Sequence, residues 1–265
     1  MGSTWVMNQL LALPAFTDNY VWLIHNGRQA LVVDPGDAAP VQQALSGLGL
    51  TLTDILVTHH HPDHVAGIPA LMSDGLRVHG LRQAVSPLIN QPHDDGDAFS
   101  WSDLPIQVWS TPGHTAVHAC FVLPQGLGPD DDAPVAFVGD TLFSAGCGRV
   151  FDGSMEQLHA SLQRLTLLPD HTRVCAAHEY TESNLRFAAA VEPDNVDVQA
   201  HRRYCAQQRA QGLPTLPTTM GLEKRINPFI RSDHPRVQDA ARRQGATDLS
   251  PQGVFTTLRT WKNTF

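Results

Sequence analysis

Through its first two thirds the chain carries its apolar residues in short runs. Tyr20-Val21-Trp22-Leu23-Ile24 and Ala30-Leu31-Val32-Val33 flank a turn at Asn26-Gly27, and the second run stops at Asp34-Pro35-Gly36. That is the pattern of a β-hairpin. From 38 to 48 the period changes, with Val41, Ala44, Leu45 and Leu48 on one helical face, before Gly49 leads into the β-branched run Ile55-Leu56-Val57. A helix between strands implies a β-α-β layer, hence an α/β fold. Further strands are predicted around Arg77-Val78-His79 and over 106–111, 119–123, 135–138 and 173–177, with Gln91 to Asp97 as a polar surface segment. Ser154 and Gln157 form a capping-box pair ahead of a helix that carries Leu158, Leu162 and Leu165 on its apolar face.

Beyond residue 180 strand signals fade and Ala, Gln, Arg and Glu dominate. Helices are predicted at 181–191, 195–211, 234–244 and 251–263, with the Pro-containing stretches around 213–217 and 227–228 as connectors. The chain therefore divides into residues 1–180, a mixed α/β domain, and residues 181–265, a smaller helical domain.

The chemistry gathers where predicted strands stop. After Ile55-Leu56-Val57-Thr58 come His59, His60, His61, Pro62, Asp63 and His64. His59 and His61, two apart in an extended segment, leave the backbone on the same side, whereas Pro62 starts a helical turn that aims Asp63 and His64 differently. An imidazole pair beside a carboxylate/imidazole pair suits two borderline metal ions better than one. Three other strands end at His114, Asp140 and His178. Structural histidines have no reason to follow strand ends in this way, and the C-terminal ends of strands are where open α/β sheets place ligands.

Composition narrows the classes. With 265 residues and 42% hydrophobic residues the chain can bury a substantial core. A net charge of −8 argues against a nucleic-acid or anionic-membrane surface. No apolar run approaches the roughly 20 residues of a membrane span, and Met1 to Val6 lack the basic and apolar regions of a signal peptide. Cys120, Cys147, Cys175 and Cys205 are scattered without a C-x-x-C pair, as expected for reduced thiols in a cytoplasmic protein.

The order His59-x-His61-x-Asp63-His64, His114, Asp140, His178 resembles the binuclear pattern of the metallo-β-lactamase superfamily. Within it the chain is most similar to the hydroxyacylglutathione hydrolases (glyoxalase II). The likeness is carried by Phe16 to Tyr20, Thr58 to His61, Gly139 to Phe143, Gly146 to Arg149, His178 to Thr181, Asn227 to Arg231 and Leu258 to Phe265. The resemblance implies an αββα sandwich followed by a helical domain that helps hold glutathione. It assigns His59, His61, His114 and Asp140 to one metal and Asp63, His64, His178 and Asp140 to the other, with Asp140 bridging. It places Arg149, Phe151, Tyr180, Arg259 and Lys262 against a glutathione thioester. Two divalent ions, zinc or else iron or manganese, would share and acidify a water that attacks the thioester carbonyl. Asp63 and Asp140 would act catalytically by orienting that water. The implied reaction converts S-D-lactoylglutathione to D-lactate and glutathione, the second step of methylglyoxal detoxification, in a monomer that engages a small molecule and no nucleic acid or membrane.

Two positions depart from the family pattern: Phe151 stands where some members have Tyr, and Ala177 where Gly is usual. Cys147 is expected to be an inert buried thiol rather than a nucleophile. Three alternatives compete: a mononuclear iron persulfide dioxygenase of the same superfamily, a nuclease of that superfamily, and a non-catalytic metal-binding protein. The helical C-terminus weighs against the first and the acidic charge against the second. The scarcity of cysteine ligands weighs against the third, since closed structural sites favour them.

Overall fold

A computed structural model of the chain describes residues 8–84 and 86–265, so Met1 to Val6, read above for a leader, lie outside the described residues. The chain forms two compact units, residues 1–110 with 117–139 and residues 111–116 with 140–265.

The first unit contains two sheets. β1 (Gln9–Ala15), β2 (Asn19–His25), β3 (Gln29–Val33), helix α1 (Ala38–Leu48) and β4 (Thr51–Leu56) come first. Two one-turn helices follow, α2 (Pro62–Val65) and α3 (Ile68–Leu71), then β5 (Arg77–Leu81) and β6 (Gln91–His93). These strands lie in the order β1-β2-β3-β4-β5-β6, antiparallel as far as β3 and parallel from there. The expected hairpin is present, pairing Trp22 with Val33 and His25 with Ala30. Helix α1 has the expected bounds, its N-cap Asp37 accepts from the Ala39 N–H, and Val41 is buried with Leu23, Val32, Ile55 and Val78. The second sheet contains β7 (Ala98–Trp101), β8 (Leu104–Ser110), β9 (Ala119–Leu123) and β10 (Val135–Gly139), all antiparallel. Two hydrogen bonds tie it to the first sheet's chain: Trp101 Nε1 to Thr53 Oγ1 at 2.9 Å and Ala119 N to the Thr58 carbonyl at 2.8 Å.

The surface segment expected at Gln91 to Asp97 is corrected in part. Gln91–His93 is an edge strand parallel to β5. Its Gln-Pro-His sequence hides it, because only an edge tolerates Pro92, which lacks a ladder donor.

The second unit is largely helical. A small hairpin of β11 (Leu142–Phe143) with β12 (Gly146–Cys147) and the antiparallel pairing of β13 (Arg173–Ala176) with β14 (Thr218–Thr219) accompany α4 (Met155–Leu165), α5 (Thr181–Val191), α6 (Val196–Ala210), α7 (Met220–Ile226), α8 (Pro235–Arg243) and α9 (Pro251–Thr264). Ser154 Oγ caps α4 by accepting from Gln157 N, as the sequence pattern requires. Helix α7 has no counterpart among the predicted helices, since it has only seven residues, one of them Gly221; it is started by Thr219 Oγ1 accepting from Leu222 N.

Glu223 on α7 is fully buried. Its carboxyl accepts from Ser144 Oγ, Ala145 N, Thr218 Oγ1 and Asn227 Nδ2. Burial pushes this group up from the ordinary carboxyl value against the pull of those donors. Together with Asn227 Nδ2, which also donates to the Phe143 and Gly146 carbonyls, it fixes the β11–β12 turn that follows Asp140.

Candidate metal centre

Each of the four ligand-bearing strand ends is as expected: β4 stops at Leu56, β8 at Ser110, β10 at Gly139 and β13 at Ala176. The candidate ligands fall into two groups, one in each unit.

In the first unit the organiser is Asp34, a buried residue at φ 51° directly after β3. Oδ1 accepts from Thr58 N at 2.8 Å, while Oδ2 accepts from Thr58 Oγ1 at 2.6 Å and from His64 Nδ1 at 3.0 Å. The Thr58 hydroxyl proton is therefore spent on Asp34, so the 3.0 Å contact with His59 Nδ1 makes that nitrogen the donor. Both His59 and His64 are thereby held as Nδ1–H tautomers with Nε2 left as a lone pair. His59 Nε2 faces His61 Nδ1 at 2.9 Å, and His64 Nε2 lies 3.5 Å from Asp63 Oδ2. Asn19 Nδ2 steadies Asp63 by donating to its Oδ2 at 3.1 Å, and His118, fully buried, stacks on His59 with centroids 4.9 Å apart. Gly36 passes so close that a Cβ there would sit 1.8 Å from the Asp63 carbonyl oxygen. His60, in contrast, is exposed.

In the second unit His114, Asp140 and His178 are brought together. His114 Nε2 lies 3.4 Å from Asp140 Oδ2 and His178 Nε2 lies 3.4 Å from Asp140 Oδ1. One carboxylate thus presents each of its oxygens to a different imidazole, the posture of a bridging ligand. His114 Nδ1 donates to the Arg149 carbonyl at 2.8 Å, which again leaves Nε2 as the lone-pair nitrogen. Gly148 permits this: a Cβ there would stand 2.1 Å from the Asp140 carbonyl oxygen and 2.9 Å from His114 Nδ1. Neutral imidazoles and carboxylates with lone pairs gathered on one side suit a divalent borderline metal, so both donor groups fit the ions the family pattern implies.

The substrate candidates all lie in the second unit. Tyr180 stacks on His178 at 4.7 Å and 5° and is partly exposed, and Phe151 stands edge-on to His114 and is 65% exposed. Arg149 is exposed. Lys262 Nζ is half-buried, donating to the Ser183 carbonyl at 3.4 Å and lying 5.3 Å from the Phe187 ring centre. Burial and the charges of Arg259, Arg186 and Arg149 lower its pKa to about 8, against a smaller opposite pull from Cys147. Arg259 is buried and donates to the Cys147 and Gly148 carbonyls. Cys147 is buried too; burial pushes its thiol up, although Arg259 and Lys262 pull the other way, which leaves it a poor nucleophile.

Residues 15–76 match the metallo-beta-lactamase superfamily, and residues 179–265 match the family described as hydroxyacylglutathione hydrolase C-terminus. The hydroxyacylglutathione hydrolase of Albidiferax ferrireducens is 49% identical over 260 residues, 97% of this chain and 100% of that one. This chain belongs to the hydroxyacylglutathione hydrolase family. The family member from Aeromonas hydrophila subsp. hydrophila is 46% identical over 263 residues, covering 98% and 100% of the two chains. Among solved structures, ETHE1 from Myxococcus xanthus matches with a TM-score of 0.63 and 25% identity over 97% of this chain and 99% of that one. The expected metallo-β-lactamase fold with C-terminal helices is borne out.

The candidate ligands stand out in the sequence, whereas the residues that support them do not. By its sequence Asp34-Pro35-Gly36 marks only the end of a strand, and no local pattern points to Asn19, Thr58 or His118 as supports of the candidate ligands. A signal existed for Asp34 alone, an acidic residue at a β-strand end in an otherwise apolar context.

Proposed function

We propose that this enzyme hydrolyses the thioester of S-2-hydroxyacylglutathiones, S-D-lactoylglutathione in the first place, releasing D-lactate and glutathione. The observation that carries the proposal is the match of the C-terminal region to hydroxyacylglutathione hydrolases from Glu179 to the end. That stretch starts beside His178 and contains Tyr180, Arg259 and Lys262.

His59, His61, His114 and Asp140 would hold one divalent ion and Asp63, His64, His178 and Asp140 a second, with zinc, iron and manganese all compatible with this donor set. Such ions, when bound, acidify water and polarise a carbonyl. The chain's own part is orientation. Asp34 and the Arg149 carbonyl keep the imidazoles in one tautomer. Asp63, steadied by Asn19, and Asp140 offer carboxylate oxygens that direct the attacking water's proton. Tyr180 and Arg149 have exposed polar groups for the peptide part, and Lys262 sits in a cationic surround that an anionic carboxylate would relieve. Phe151 contributes a ring without the hydroxyl of a tyrosine. The thiolate leaves without a protein acid. It would work as a monomer in the cytoplasm, within methylglyoxal detoxification, and its four cysteines free of disulfides suit a reducing compartment.

The test is loss of the S-D-lactoylglutathione thioester absorbance with purified protein whose metal content is measured in parallel. Hydrolysis that disappears on chelation and returns with about two ions per chain is expected. A metal-loaded protein inert toward this thioester would sink the proposal.

A further inference from the structure

Helices α5 and α6 of the second unit enclose a groove of about 390 Å³. Glu182 and Arg186 line it from α5 and Gln199, Arg202 and Arg203 from α6, with the buried Leu185 among its walls. All three arginines are exposed, and Arg202 Nη1 donates only to the neutral Gln199 Oε1, at 3.2 Å. Among the described residues neither Arg186 nor Arg203 has a carboxylate partner. Elsewhere in the helical region exposed arginines are paired, Arg225 with Asp197 at 3.4 Å and Arg242 with Asp239. Three guanidiniums against the single carboxylate of Glu182 thus leave a local positive excess in a chain whose net charge is −8. Arg186 joins this groove to Lys262. It stands one helical turn along α5 from Glu182 in the groove and from Ser183, whose carbonyl accepts from Lys262 Nζ at 3.4 Å. Its charge is one of those that bear on Lys262.

We propose that Arg186, Arg202 and Arg203 form a capture surface that draws anionic thioesters toward Lys262 and so selects them over neutral ones. A glutathione thioester carries two carboxylates and one ammonium, so it approaches as an anion and the protein's overall negative charge repels it. Screening confines that repulsion and any local attraction to about 8–10 Å at ordinary salt, so the charges nearest the point of entry decide the encounter. A groove wall of arginines without carboxylate partners keeps its field open to solvent, whereas a paired arginine has spent most of its own. Attraction of this kind acts before the substrate is seated and is the same for ground and transition states, so it raises kcat/KM and leaves kcat alone. This inference rests on the reading of the protein as a hydrolase of glutathione thioesters with Lys262 at the carboxylate end.

The experiment measures kcat and KM of the metal-loaded protein for S-D-lactoylglutathione and for the neutral S-lactoyl-N-acetylcysteamine, in low salt and in about 0.5 M salt, where the screening length is only a few ångström. Wild type is compared with Arg202→Glu/Arg203→Glu, with the neutral Arg202→Gln/Arg203→Gln, and with Arg236→Glu/Arg243→Glu, which makes the same change in net charge at exposed positions of α8. Each variant is first checked for native near-UV dichroism, and the neutral pair decides by the same readout if the reversed pair does not fold. The Arg202/Arg203 reversal is expected to lower kcat/KM for the glutathione thioester about 3–10-fold in low salt, with the neutral pair in between, kcat unchanged and the difference nearly gone in high salt. The neutral thioester should not distinguish the variants, and the α8 variant should stay near wild type. Unchanged kcat/KM in low salt, a loss that survives high salt, an equal loss with the neutral thioester or an equal loss in the α8 variant each overturns the proposal. A wild-type protein inert toward S-D-lactoylglutathione overturns the underlying reading and this proposal with it, an outcome distinguishable because it needs no variant.

Discussion

Two histidine pairs in the first unit have the same nitrogen-to-nitrogen distance and different roles. His59 Nε2 and His61 Nδ1 are 2.9 Å apart, as are His79 Nδ1 and His93 Nε2. What differs is where the buried carboxylate sits. Asp54, fully buried, accepts from Arg77 Nε and Nη2 at 2.8 and 2.9 Å and from His79 Nε2 at 2.8 Å. His79 Nδ1 must then accept from His93 Nε2, and the chain of donors runs in a line that consumes the facing lone pair. Phe99 completes the stack, 4.1 Å from His79 and 4.7 Å from His93. Asp34 instead stands behind two rings at once, one of them reached through Thr58, and turns both Nε2 atoms outward. A carboxylate at the end of a line makes a structural stack; one behind converging rings makes a ligand set.

The sharpest way to break the comparison is to remove one ring from each pair. His61→Ala is expected to lose metal and to lower kcat/KM by about 10³-fold or more, since several kcal/mol of transition-state stabilisation go with the ion. His93→Ala should keep metal content and kcat/KM within a few-fold of the wild type. Equal losses in both would mean that the distance mattered and the tautomer did not.

The carboxylates should separate next. Asp34→Ala is expected to weaken metal binding about 10–100-fold in a folded protein, because His59 and His64 lose the partner that sets their tautomers. Asp54→Ala should leave metal affinity alone and destabilise folding by about 2–3 kcal/mol, the half-exposed Arg77 limiting the damage. Burial alone would raise the Asp54 pKa, but hydrogen bonds from His79 and Arg77 outweigh it and hold the group below the ordinary aspartate value of 3.8. A folded-state pKa below the unfolded one gives stability that is present above 3.8 and lost as pH falls through the folded value. Denaturant melts below pH 4 should therefore show a steeper decline for wild type than for Asp54→Asn.

The same contrast explains what the sequence made legible. His59, His61, Asp63, His64, His114, Asp140 and His178 announced themselves because each follows a strand signal, and period alone marks those strands. The pair at His79 and His93 was invisible, since it depends on parallel pairing of β5 with an edge strand whose Gln-Pro-His sequence has no strand character. Asp34 and Thr58 are equally hidden in their roles. The contact of Asp34 with Thr58 spans 24 positions and that of Arg259 with the Cys147 carbonyl spans 112, and no local pattern encodes which carbonyl or hydroxyl a buried group will reach. Helix α9 was placed correctly, yet the three-residue spacing of Arg259 and Lys262 could not say that one is buried and the other half-open.

Lys262 supplies the smallest expected effect, and it sharpens the distinction between a satisfied and an open polar group. Its ammonium donates to one carbonyl, and burial together with Arg259, Arg186 and Arg149 lowers its pKa to about 8. An anionic carboxylate seated there would favour the charged form, so binding draws on the protonated fraction of the free enzyme. That fraction is high at pH 7 and falls as pH passes 8, and apparent affinity falls in proportion to the competent fraction. KM for a glutathione thioester should rise with pH, by about 10-fold at most between pH 7 and pH 9, while kcat does not follow this group. Lys262→Arg, charged throughout that range, should flatten the rise. Identical KM profiles for wild type and Lys262→Arg would remove Lys262 from the substrate site and leave Arg149 and Tyr180 as the candidates for the carboxylate end.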